Sequence, residues 1–157
     1  MLIRQIGPDE AALLLPLNAV VQRLHAAHRP DIFPPEPDAA AVAAHFVETL
    51  ARPGWFALLA EADGAAIGYA LCEVQRIEAH ALHHARTRGF LHHVAVAETA
   101  RRRGVASALL EAAKARFQAE GATVWATTYW AWNDASAALM AKAGLWPAII
   151  LADAPLG

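Results

Sequence analysis

The chain has 157 residues, of which 57% are hydrophobic, much of that alanine, and a formal net charge of -2. That length fits one domain, residues 1–157, able to bury about two thirds of its chain surface. The charge gives no support to a nucleic-acid or anionic-membrane role. The single cysteine, Cys72, excludes an internal disulfide and a cysteine-built zinc site. No N-terminal stretch has a leader pattern and no 18-residue apolar run is free of charge. A cytoplasmic protein is expected.

Leu2 to Ile6 alternates apolar and polar residues and predicts a first strand. Gly7-Pro8-Asp9 is a turn, with Asp9 as a cap. Leu13, Leu14, Leu17, Val20, Val21 and Leu24 then mark a helix that Pro16 kinks or restarts. Arg29 to Pro37 holds four prolines in nine residues and cannot be regular helix. It is read as a stiff connector or as one wall of a substrate pocket. Asp38 can cap a second helix whose buried face is Val42, Phe46, Val47 and Leu50, ended by Arg52-Pro53-Gly54.

Trp55 to Glu61 predicts a strand, Asp63-Gly64 a hairpin turn, and Ala66 to Val74 the returning strand. Gln75 to Arg88 is polar and histidine-rich, a loop or short helix. Within it His80, His83 and His84 have helical spacing that suits a metal, though no metal is expected. Leu91, Val94 and Val96 predict a buried strand. Val105, Leu109, Ala112, Ala113 and Phe117 recur at steps of three and four, one apolar face of a helix that Gly121 closes. Thr123 to Tyr129 is β-prone. Asn133 or Asp134 caps a last helix through Ala143, and Trp146 to Leu151 predicts a final strand, at an edge or starting after Pro147.

The chemistry concentrates where the strand through Val96 turns into the helix at Gly104. A helix start leaves unpaired N–H groups and a positive dipole end. Gly104 lets a ligand approach the backbone, Ala106 keeps space open, and Arg101, Arg102 and Arg103 add positive charge. This suits a phosphate or pyrophosphate, although GxxxxGK followed by S/T and GxGxxG are both absent. The run Arg101-x-x-Gly104-x-Ala106 after a Val-x-Val strand resembles the Q/R-x-x-G-x-G/A signature of the GNAT N-acetyltransferase superfamily. The stretch Asn133 to Leu145 is similar to that family's later motif, N-x-x-A/S-x-x-L-Y-x-K-x-G-F. The hairpin with Gly68-Tyr69 and the element order β-α-α-β-β-β-α-β-α-β extend the resemblance over nearly the whole chain.

The resemblance implies an α/β (α+β) GNAT fold: a mixed, mostly antiparallel sheet of six to seven strands flanked by about four helices. It implies transfer of an acetyl group from acetyl-CoA, a cosubstrate, directly to a primary amine of a small molecule or peptide. Residues implied to hold acetyl-CoA are Val94, Ala95, Val96, Arg101, Arg102, Arg103, Gly104, Val105, Ala106, Ser107 and Asn133. Val94 would also offer a backbone donor to the oxyanion. The family often has Tyr where this chain has Met140, which donates no proton; Tyr129 is the nearby phenol. Base candidates are His93, favoured because relatives often carry an acid there, with His92, Glu73, His83 and His84. His92 and His93 are expected on opposite strand faces. Trp130 and Trp132 are read as acceptor-site lining or as core. Two rival readings are an acyl-CoA-binding sensor without turnover and a toxin-like aminoacyl-tRNA acetyltransferase, the latter opposed by the near-neutral charge. No nucleic acid or membrane partner is expected, and a homodimer is left open.

Overall fold

The computed structural model describes residues 1–154. The opening alternation forms strand β1 (Leu2–Ile6), and a 3-10 turn follows over Pro8–Leu14. Pro16 then sits in the first turn of helix α1 (Leu15–His28), where its missing N–H costs nothing. It restarts the helix and does not kink it. Asp38 caps helix α2 (Ala39–Leu50), accepting from the N–H groups of Ala40 and Ala41. Phe46 and Leu50 of α2 are buried as expected, but Val47 faces out at 44% exposure, its place on the inner face taken by Thr49.

Strands β2 (Trp55–Ala62) and β3 (Ala65–Ile77) form a hairpin. Asp63 and Gly64 turn it with φ of 51° and 76°, the positive pair that a two-residue hairpin of this twist requires. Strand β4 (Arg86–Val96) returns along β3. The two ends of the polar run 75–88, residues 75–77 and 86–88, are therefore strand, and 78–85 is left as loop. Cross-strand pairs such as Gln75 with Arg88 carry the strand ends, the guanidinium donating twice to Gln75 Oε1. Helix α3 (Val105–Ala119), strand β5 (Val124–Thr127) and helix α4 (Asp134–Lys142) complete the elements.

The sheet order is β1-β2-β3-β4-β5, antiparallel except for the parallel pair β4–β5. It is mixed and mostly antiparallel, flanked by four helices, as expected, but among the described residues it has five strands and not six or seven. The missing one is Trp146–Leu151, which forms no strand. Trp146, Ile149, Ile150 and Leu151 are 79–94% exposed. Pro147 lacks a ladder N–H, and three consecutive large apolar residues do not alternate between two faces. Beyond it, Asp153 is tied to Arg29 at 3.2 Å. No helix among the described residues is long and apolar enough to cross a membrane.

Strand alternation divides the interior in two. Phe56, Leu58, Ala70, Cys72 and Leu91 face α3 and α4, where Leu109, Leu110, Phe117 and Met140 meet them. Ala57, Leu59, Tyr69 and Leu71 face the other way, onto Leu14, Leu17, Phe46 and Leu50. The two layers fix opposite sides of β4, which is the strand the site is built on.

At Gly89 the Phe117 ring of α3 packs directly on β4. A Cβ there would lie 2.2–2.6 Å from three ring atoms of Phe117, a ring 1% exposed. Gly89→Ala should cost about 1–3 kcal/mol by overpacking, lowering the melting midpoint by about 2–4 °C per kcal/mol. An unchanged thermal melt would show that the ring does not seat on this strand.

Candidate functional site

β5 runs beside β4 only as far as Leu91, the last pair being Leu91 with Thr127. The Thr127 hydroxyl donates to the Leu91 carbonyl at 2.8 Å and closes the ladder. From His92 to Val96, β4 is paired with β3 alone. One backbone edge, including Val94, Ala95 and Val96, is thus left without a strand neighbour among the described residues, open to an extended ligand that pairs as a strand would.

The β3–β4 register slips at the same place. Leu71 pairs with His93 and Cys72 with Leu91, so His92 is an extra residue in a β-bulge. Side chains no longer alternate there, and the expectation of opposite faces for His92 and His93 is overturned. Both histidines lie on the α1/α2 face. His92 stacks on Trp55 at 4.1 Å, and its Nε2 is 2.9 Å from Glu73 Oε2, which also accepts from Gln75 Nε2. Two of the base candidates, His92 and Glu73, are thereby engaged with each other.

His93 has a different setting. Its Nδ1 lies 3.3 Å from the Tyr69 hydroxyl, and that hydroxyl donates to Asn18 Oδ1 at 3.0 Å. A phenol has one proton. With that proton on Asn18, the Tyr69 oxygen accepts from His93 Nδ1–H, and the lone pair of the ring is left on Nε2. Tyr69 is fully buried, which pushes its phenol up and keeps it neutral. Burial, helped by His92, His25 and His45, pulls the His93 imidazole down to about 4. At neutral pH it is an uncharged hydrogen-bond acceptor. Sequence reasoning gave no site role to Tyr69, Asn18, His25 or His45; the only local signal was a tyrosine among the small and aliphatic residues of 65–71.

His93 forms part of the floor of a cleft of about 340 Å³ between α1, the 29–37 loop and α2. Val21, Phe33, Val42 and Phe46 supply its apolar walls, with His25 and His45 beside them. The proline-rich segment is thus a pocket wall through Phe33 and Pro37. Trp130 and Trp132 back this wall. Trp132 stacks on His28 at 3.9 Å and on Trp130 at 6.2 Å, and Trp130 meets Phe33 edge-on.

Past Val96 the chain makes a short 3-10 turn, Glu98–Ala100, and enters α3 through Gly104 at φ 80°, a left-handed conformation that favours glycine. No side chain caps α3. The N–H of Ala108 is the first to bond within the helix, to Gly104, so those of Val105, Ala106 and Ser107 have no intrahelical partner. A Cβ built on Gly104 meets nothing within 4 Å, so the space above the turn is open. Arg101, Arg102 and Arg103 are exposed and form no ion pair among the described residues. A second cleft, about 80 Å³, runs from Ser107 between α3 and α4. Uncapped N–H groups, a helix dipole and three free guanidinium groups fit a pyrophosphate.

The remaining candidates lie as follows. Asn133 caps α4, accepting from the Ser136 N–H at 3.0 Å. Tyr129 falls beyond the end of β5 and is 36% exposed, so it is not a packed strand residue. Met140 is 2% exposed in the core under α3. His80 and His83 bond each other through their backbones in the exposed 78–85 loop, so helical spacing is not realised there. No group of three metal-ligating side chains occurs among the described residues.

Residues 19–145 match the model of the acetyltransferase (GNAT) family. No curated protein matches the sequence. Among solved structures, the chain is similar to a mutant of the BH1408 protein from Bacillus halodurans, with TM-score 0.89, 18% identity and 99% of each chain covered. It is similar to the aminoglycoside N-acetyltransferase AAC(6')-Iy in complex with CoA, with TM-score 0.74, 23% identity, and 98% of this chain and 93% of that one covered. A third likeness is to the ribosomal-protein-alanine N-acetyltransferase from Brucella melitensis, with TM-score 0.72, 14% identity, and 99% and 100% coverage. At these identities the likenesses carry the fold and not the acceptor.

The depressed His93 imidazole has a stability consequence. Below an unfolded value near 6.5 the unfolded chain binds the proton first, so stability present above pH 6.5 is lost as pH falls toward about 4. The full loss is about 3 kcal/mol. His93→Gln should remove that part of the acid dependence, read as the difference in urea midpoints between pH 7 and pH 4. Parallel pH curves for the two proteins would show that His93 titrates normally.

Proposed function

The chain belongs to the acetyltransferase (GNAT) family, and on that premise we propose that it transfers an acetyl group from acetyl-CoA to the primary amine of a small molecule or peptide by direct attack. The observation that carries this reading is the course of β4. One strand links the His93 cleft to an unpaired backbone edge and then to an uncapped, arginine-flanked helix start. The AAC(6')-Iy structure, a CoA complex on the same fold, supports the choice of cosubstrate.

In this reading the N–H groups of Val105, Ala106 and Ser107, with Arg101, Arg102 and Arg103, hold the pyrophosphate. Gly104 keeps the approach open. The free edge at Val94, Ala95 and Val96 pairs with the pantetheine amides, and Val94 offers its N–H to the carbonyl oxygen as it gains charge. Asn133 supports the arm from the start of α4. Acetyl-CoA, when bound, supplies an activated thioester carbonyl and a thiolate leaving group.

His93 Nε2 receives the proton that the amine sheds as its nitrogen bonds to the carbonyl carbon, directly or through a water. The thiolate freed when the C–S bond breaks takes a proton from Tyr129, since Met140 has none to give and is buried in the core. An imidazole near 4 is neutral at every working pH. The rate should therefore follow deprotonation of the amine and show no inflection near 6.5.

Acetyl-CoA at about 100 times its dissociation constant should stabilise the fold by ~2.7 kcal/mol, and Gly104→Glu, which puts a charged side chain in the cradle, should abolish the thermal shift. No shift with wild type at millimolar ligand would overturn the cofactor reading. For turnover, His93→Ala and Tyr129→Phe should each lower kcat by about 10²–10⁴-fold with the thermal shift intact. His93→Ala with the wild-type pH–rate profile and kcat would remove it as base.

A further inference from the structure

Resting on the acetyl-transfer reading above, we infer that the acceptor is a small primary amine with one apolar body and no carboxylate, of the aralkylamine kind, seated in the cleft over His93. The cleft's charge comes first. Among the described residues its one acidic lining residue is Asp38, and both carboxylate oxygens already accept from the Ala40 and Ala41 N–H groups to cap α2. A polycationic acceptor needs several carboxylates to replace its water, and the lining offers one, already engaged in capping α2. Among the described residues the lining also holds no lysine or arginine. Arg29, at the end of α1, is committed to Asp31 at 2.8 Å and to Asp153 at 3.2 Å. An acceptor carboxylate would be stripped of water with no partner.

Two polar groups of the lining are partly engaged. Asn18 accepts from Tyr69, and Gln22 donates to the Pro34 carbonyl at 2.7 Å. What the cleft does offer is apolar surface on Val21, Phe33, Val42 and Phe46. The Phe33 ring is fixed by His25 at 4.8 Å and by the edge of Trp130 at 6.0 Å. Among the hydrogen-bonding side chains of this lining, His93 is the one whose tautomer a partner chain sets: with Nδ1–H given to Tyr69, itself held by Asn18, Nε2 is left bare. A volume of about 340 Å³ lies at the small end of ligand pockets, which run from about 300 to 1,000 Å³. One ring and a short arm ending in an amine match these features.

The test compares kcat/KM for phenethylamine, phenylalanine and kanamycin, followed by thiol release from acetyl-CoA. Phenylalanine adds only a carboxylate to the same body, and kanamycin is a hydroxylated polycation. Phenethylamine should lead both by about tenfold or more. Ala41→Asp, at an exposed position of the cleft rim in the first turn of α2, should shift the kanamycin-to-phenethylamine ratio toward kanamycin by about tenfold. Equal or better turnover of phenylalanine or kanamycin by the wild type would overturn the inference. So would an acetyl-CoA thermal shift with no turnover of any of the three, which leaves the cofactor reading intact. Absence of the shift itself would overturn both.

Discussion

One extra residue in β4 decides the geometry of the site. Without the bulge at His92, strict alternation would send His92 and His93 to opposite faces, and one of them would enter the α3/α4 core. With it, Leu91 and Val94 still point into that core while both histidines emerge on the α1/α2 side. The bulge sits one residue past the last β4–β5 pair. A kinked strand bends away from its neighbour, and the same local irregularity accompanies the opening of the backbone edge at Val94 to Val96. Side-chain placement and an unpaired edge thus arise from one feature.

The two helical layers then divide the work. α3 and α4 are pressed onto one face by Phe117, Leu109, Leu110 and Met140. That packing fixes where the uncapped start of α3 lies relative to β4. α1 and α2 cover the other face through Leu14, Leu17, Phe46 and Leu50, and leave the cleft above His93. The cofactor reading rests on the first layer and the acceptor reading on the second. β4 is the element common to both, and it is anchored along its length by β3.

The buried polar chain Asn18–Tyr69–His93 illustrates how the site trades stability for a defined chemical state. A tyrosine and a histidine in a core layer are acceptable because each finds a partner. The cost is an imidazole that resists protonation, which makes it a weak base and a fixed acceptor. The return is a single tautomer on a residue that lines the cleft. His92, one residue away, is spent on Glu73 and Trp55 instead. Neighbours of the same residue type receive different roles from their partners alone.

Much of this was legible in the residues themselves. Period-two and period-3.6 patterns placed β1, β2, α2 and α3, because burial on one face writes itself into local order. Asp38, Asn133 and Gly104 marked helix starts, since capping and left-handed backbone select few residue types. The strand expected at Trp146–Leu151 did not form, because β propensity is realised only against a neighbouring strand. The helical spacing of His80, His83 and His84 came to nothing in a hairpin loop. The bulge at His92, the pairing of Tyr69 with residues 51 and 24 positions away, and the neutral state of His93 depend on contacts between distant segments. By itself the sequence determined most of the elements and the glycine-led start of α3, since both are local properties of the chain. Only the tertiary structure decided which histidine faces the cleft and in what protonation state, because register and burial are set by partners far away in sequence.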